Sequence, residues 1–142
     1  MTNLKKHLGS FIIILLLIVL AIGSTDTSEE GTQETKERAA AYTISAEELS
    51  KEYSENEVSA DEKYEGEIVI VYGTIDNIGK DIMDTPYISL EGKGFLSGVQ
   101  CMFDESEESS FRGISEGDYI RIKGKVDGKS MGSVLLQNSS IQ

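Results

Sequence analysis

The chain is poor in the residues from which most catalytic centres are made. Its one cysteine is Cys101, so no intramolecular disulfide can form and no zinc cluster can be assembled from thiolates. Its one histidine is His7, which precedes an apolar run near the amino terminus. Residues 43–142 therefore hold no histidine, which removes a Ser-His-Asp or Cys-His set, a histidine-ligated metal and a histidine general base from that region. Basic residues are scarce as well. Thirteen Lys and Arg stand against 25 Asp and Glu, a net charge of −12, and taking away Lys5 and Lys6 with the leader leaves −14. A field of that sign repels phosphate backbones and anionic lipid surfaces unless a local basic stripe overcomes it.

What is present begins with Lys5-Lys6-His7, followed by the twelve apolar residues from Phe11 to Ile22 and then Gly23-Ser24. Residues 1–23 read as a signal peptide or an N-terminal membrane anchor. Twelve residues make a helix of about 18 Å, short of a hydrocarbon core of roughly 30 Å, which favours a signal peptide. Bulky aliphatic residues run up to the small residues Ala21 and Gly23, which favours retention. Both readings stand, and the two lysines place everything after Ser24 outside the cytoplasm. No cysteine follows the run, so it offers no lipoprotein attachment site. Residues 24–42 are rich in Thr, Ser, Glu and Gln, with no large apolar side chain from Ser24 to Ala41. They are expected to form a disordered polar linker.

Residues 43–142 are expected to fold as one domain. Ile44-Ser45-Ala46-Glu47-Glu48-Leu49 combines a Ser cap, a Glu three residues later and apolar residues that clamp across the cap, which predicts a helix from about Ala46 to Glu55. Asn56 caps a second short helix through Tyr64. From Gly66 the period changes to two. The phrase Gly-Glu-Ile-Val-Ile-Val-Tyr-Gly-Thr-Ile-Asp at Gly66–Asp76 is echoed by Gly-Asp-Tyr-Ile-Arg-Ile-Lys-Gly-Lys-Val-Asp at Gly117–Asp127. Both copies read as long strands coiled around a barrel, with Gly73 and Gly124 at the bends. Tyr87–Leu90, Val99–Phe103 and Val134–Ile141 supply three more strands. Asp104 opens a short helix with Phe111 and Ile114 three apart on one face, and Asp127-Gly128-Lys129 marks the turn into the last strand.

Five strands with a helix between the third and fourth is the order of an OB-fold, a small Greek-key barrel, so the fold class is mainly β with an N-terminal helical segment. The residues Ile44–Leu49, Asn56, Ala60-Asp61, Lys63-Tyr64, Gly66, Gly73, Val99–Phe103, Gly117-Asp118 and Gly124 resemble the tRNA-anti-like family of bacterial OB-fold proteins. That resemblance covers residues 43–142. It implies an OB barrel behind a helical segment, commonly exported, and it carries no catalytic residues.

OB-folds bind ligands on the face of the second and third strands. The alternation places Tyr87, Ser89, Gln100 and Met102 on that face, the first group of candidate ligand-binding residues. One tyrosine and no cation make a poor platform for single-stranded nucleic acid. Arg121, Lys123 and Lys125 alternate along the fourth strand and form the second group, a basic stripe able to hold an acidic partner or equally to be a solvated strand face. The acids Asp76, Asp81 and Asp84 of the first hairpin loop match no EF-hand spacing and read as solvated, and Cys101 reads as core. Neither a catalytic set, a metal site nor a cofactor is expected. The reading is a non-enzymatic extracytoplasmic binding module for a protein or envelope component, with nucleic acid disfavoured and contact with the membrane through the leader if it is retained. An oligonucleotide or oligosaccharide binder is the alternative.

Overall fold

The computed structural model describes residues 27–94 and 97–142. The leader at 1–23 lies outside the described residues. The first described element corrects the expectation of a disordered linker over 24–42. Helix α1 occupies Thr27–Glu37 and packs against the barrel, burying Thr32 and Thr35. It has no apolar stripe and so no helical period to read. Its support comes from elsewhere in the chain: Lys123 Nζ donates to the Lys36 carbonyl oxygen (2.9 Å) near the helix C-terminus, and Lys36 pairs with Glu107.

Strand β1 (Tyr42–Ser45) follows and pairs in parallel with the strand that begins at Ile68. Its four residues are too few to show an alternation. Ser45 then caps α2 (Ala46–Glu55), its hydroxyl accepting from the Glu48 N–H at 3.1 Å, as the capping signal predicts. α2 buries Ala46, Leu49, Ser50 and Tyr53 against the barrel. Asn56 ends α2 and starts α3 (Glu57–Tyr64), its side chain accepting from the Ser59 N–H at 3.1 Å. One residue thus breaks the axis and seeds the next helix, which folds Tyr64 back onto Tyr53.

The barrel consists of β2 (Ile68–Lys80), β3 (Pro86–Glu91), β4 (Gly98–Phe103), β5 (Tyr119–Ser130) and β6 (Ser133–Ile141). The order around it is β2-β3-β4-β6-β5, closed by pairing of β5 with β2. All neighbours are antiparallel except β4 and β6. This is the OB-fold. Within the barrel β2 is long enough to serve two partners, with Ile68–Thr74 on β5 and Ile75–Lys80 on β3, and a register shift between Ile75 and Asn77 marks the changeover. The two copies of the repeated phrase lie side by side: Val71 faces Ile122 and Gly73 faces Ile120. The second glycine of each copy has a packing reason rather than a conformational one. A Cβ on Gly73 would stand 3.2 Å from the Ala46 Cβ, and one on Gly124 would stand 3.0–3.1 Å from Ser139 and Leu136.

The period-two positions form the core. Val69, Val71, Ile88, Val99, Cys101, Ile122 and Leu136 are fully buried. A 310 helix (Glu105–Phe111) lies between β4 and β5, with Phe111 edge-on to Phe103 at 4.8 Å. Asp104 caps it, accepting from the Ser106 N–H at 2.9 Å. The expected turn at Asp127-Gly128-Lys129 is instead a bulge within β5, where Gly128 has φ +91°. Reversal comes at Met131-Gly132, two residues with φ +51° and +91° between paired Ser130 and Ser133. An Asp-Gly pair serves a bulge as well as a hairpin, because both need a left-handed residue.

Candidate functional site

The face predicted from alternation exists. Tyr87 lies opposite Met102 and Ser89 opposite Gln100 across the β3–β4 pair, so these four residues form one patch on the outer side. Their character differs from that of an open platform. Met102 is buried, with its sulfur 3.5 Å from Gln100 Nε2. The Tyr87 ring lies along β2, its hydroxyl oxygen 3.0 Å from where a Gly79 Cβ would be. Gly79 leaves room for the ring across the strand, so β2 covers one face of Tyr87.

Beside this patch the barrel is concave. A cleft of about 650 Å³ is lined by Asp76 of β2, Ser89, Leu90 and Glu91 of β3, by Gly92, Gly94, Ser97 and Gly98, and by Met131 and Ser133 of the β5–β6 hairpin. Its wall depends on glycine. A Cβ on Gly92 would come 2.1 Å from the Ser97 carbonyl oxygen, and one on Gly98 would come 2.7 Å from that of Leu90. The connection is also tied to α2, because the Lys93 N–H donates to Ser50 Oγ at 2.9 Å. That bond gives the buried Ser50 its purpose: the helix packed on the barrel positions the rim of the cleft.

Among the described residues the lining offers carboxylates, serine hydroxyls, glycine backbone and one exposed methionine, with neither a cation nor an aromatic ring. Of the predicted face only Ser89 reaches the cleft. Asp76, Glu91, Met131 and Ser133 carry no signal that marks them as a site in the sequence. They come from separate stretches of chain, and no local pattern joins them. Asp76, expected in a hairpin loop with Asp81 and Asp84, lies within β2. Asp81 organises the loop itself, its Oδ1 accepting from the N–H groups of Met83 (2.8 Å) and Thr85 (3.0 Å). Lys80 answers Asp84 at 3.4 Å and Glu108 at 3.1 Å. In that turn the side chains of Ile82 and Met83 stand in solvent.

The basic stripe lies elsewhere, on β5, whose neighbours are β2 and β6 and not the β3–β4 pair. Arg121, Lys123 and Lys125 do alternate against the buried Ile120, Ile122 and Val126. They do not share one solvated face: Arg121 is exposed, Lys125 half-buried and Lys123 8% exposed beneath α1. Lys129 approaches Glu57 at 3.7 Å.

Burial in the core shifts several titrating groups. Burial pushes the Cys101 thiol well above its ordinary range, so it is held as the neutral, unreactive form. Burial, with Asp61 close by, raises the Tyr53 hydroxyl likewise. On the outer side of α2 and α3, Lys63 sits 3.0 Å from Glu52 and 4.6 Å above the Tyr64 ring, an arrangement that joins the two helices. Among the described residues no three His, Cys, Asp or Glu side chains gather in a way that could hold a metal ion.

Residues 1–140 match the model of the tRNA_anti-like family. Among solved structures, a "putative nucleic acid-binding lipoprotein" from Klebsiella pneumoniae subsp. pneumoniae superposes with a TM-score of 0.59 at 21% identity, over 70% of this chain and 90% of that one. An OBody bound to hen egg-white lysozyme gives a TM-score of 0.42 at 18% identity, over 56% of this chain and 84% of that one. At 21% identity the likeness to the Klebsiella protein is one of fold. No curated protein matches the chain.

Proposed function

The chain belongs to the tRNA_anti-like family, and from that membership we propose that it is a non-enzymatic binding module that works outside the cytoplasm and engages a protein or envelope component through the β3–β4 cleft. The observation that carries this reading is the cleft itself, about 650 Å³ on the side of the barrel where OB-folds take their ligands. Asp76 and Glu91 suit amino and hydroxyl groups and oppose phosphate. Serine hydroxyls and glycine backbone add donors and acceptors without adding charge. The chain's net charge of −12 acts in the same direction over longer range. The leader supports a location beyond the membrane, whether it is cut or kept as a tether. Among the described residues no helix is long and apolar enough to cross a membrane.

A second reading, single-strand binding, draws on the description of the Klebsiella neighbour and on Arg121 and Lys125, for which the described residues supply no ion-pair partner. Titration of a labelled 20-nucleotide single strand at 50 and 200 mM salt separates the two. The proposed function predicts no saturable binding at either salt, and no change in Arg121→Glu/Lys125→Glu. Saturable binding that weakens steeply with salt and disappears in the double variant would replace it with the second reading. Location is tested by adding protease to intact spheroplasts: degradation of the domain is expected, and full protection would overturn the extracytoplasmic assignment.

A further inference from the structure

Helix α1 is attached to the barrel by contacts of an unusual kind. Its sequence, Thr-Ser-Glu-Glu-Gly-Thr-Gln-Glu-Thr-Lys-Glu, has no large apolar side chain to bury. Among its described side chains Thr32 and Thr35 are buried, and Thr32 Oγ1 has no hydrogen-bond partner among the described residues. An orphaned buried hydroxyl opposes docking instead of supporting it. What holds the helix is polar: the Lys123 bond to the Lys36 carbonyl, the partly exposed Lys36–Glu107 pair, and the bare backbone of Gly31 lying on the Asn138 side chain. Eleven residues make a marginal helix when isolated, and an ion pair open to water adds little. The barrel beneath is closed and has its own buried core, so α1 can leave without disturbing it. Its connection to β1 is short, and the Ala41 N–H bond to the Ile68 carbonyl (2.7 Å) fixes the point from which it swings.

We propose that α1 is a detachable cover. Docked, it occupies Lys123 and interrupts the cationic face of β5. Undocked, it frees Lys123 between Arg121 and Lys125, so that three cations line one side of the strand, each about 7 Å from the next. The equilibrium of this helix therefore decides whether the domain shows a basic strip at all.

Hydrogen exchange on the full-length wild-type chain tests the first half. The α1 amides are expected to be protected by about 10- to 100-fold, against at least about 10,000-fold for β2 and β5, because they open locally. Protection of α1 equal to that of the strands would overturn the proposal. A reversible lock tests the second half. A Cβ placed on Gly31 lies 3.1 Å from the Asn138 Cγ, the position a cysteine sulfur would take, and a disulfide holds each β-carbon about 3 Å from the opposite sulfur, so Gly31→Cys and Asn138→Cys are placed to pair. Cys101 is buried and does not compete. Oxidation of the double variant should slow acylation of Lys123 by an amine-specific reagent at least tenfold, with reductant restoring the rate. Equal rates in the two redox states would show that Lys123 is reached without undocking. If the double variant fails to fold or to cross-link, exchange in the wild type decides.

Discussion

Gly124→Ala is the substitution whose outcome follows most directly from the packing. The backbone at Gly124 is ordinary strand, so glycine's conformational freedom is not the reason for its presence. The added methyl would meet Ser139 Oγ at 3.0 Å and Leu136 Cβ and Cδ2 at 3.1 Å. Both residues are fully buried, and the Leu136 Cβ is fixed to the backbone of β6, so β5 and β6 must part by a few tenths of an ångström. Overpacking of this kind costs about 1–3 kcal/mol, and the stiffer unfolded chain returns about 0.4–1 kcal/mol. The net is a destabilisation of about 1–2 kcal/mol. With a urea slope on the order of 1–2 kcal/mol/M, the midpoint should fall by roughly 1 M with little change in slope. Gly66 supplies the contrast, since it has φ +81° and an added methyl there would find nothing within 4 Å. Asn there should recover much of what Ala loses, because Asn tolerates the left-handed region, while at Gly124 Asn should be worse than Ala. An unchanged or raised midpoint for Gly124→Ala, or the same Ala-to-Asn ranking at both sites, would refute the reasoning.

Two further expectations concern the core and the helices. Cys101 should resist thiol reagents until the protein unfolds, and its raised folded pKa has a definite pH signature. The folded thiol stays neutral while the unfolded one ionises above about 8.5, so its contribution is complete below that pH and is lost as pH rises. Between pH 7 and pH 10 the wild type should lose about 2 kcal/mol more than Cys101→Val in urea titrations, and parallel losses would contradict the burial argument. Ser45→Ala and Asn56→Ala should each cost about 1 kcal/mol by the same assay, with Ser restored by Thr or Asp at position 45.

The strands are legible in the sequence because apolar residues recur at every second position through Val69–Val71, Ile88–Leu90 and Val99–Phe103. The paired helix starts are legible because Ser45 and Asn56 sit three residues before the N–H groups they accept from. What escapes depends on contacts distant in the chain. α1 is helical where its own composition suggests coil, and the group that completes it, Lys123, lies 87 residues away. β1 is an addition to the edge of β2 too short to show a period. The cleft is built of Ser, Gly and single acids brought together from β2, β3, a connection and a hairpin, residue types that leave no mark on a sequence. The same distance explains why alternation groups Tyr87, Ser89, Gln100 and Met102 correctly as neighbours while only Ser89 reaches the concavity.

A photoreactive residue in place of Ser89 tests the proposed cleft most directly. Carried by the full chain in intact cells and irradiated, it should give one discrete adduct with a protein or envelope component, absent when the same residue replaces the exposed Glu62 on α3. No adduct from position 89, or the same adducts from both positions, would contradict the account.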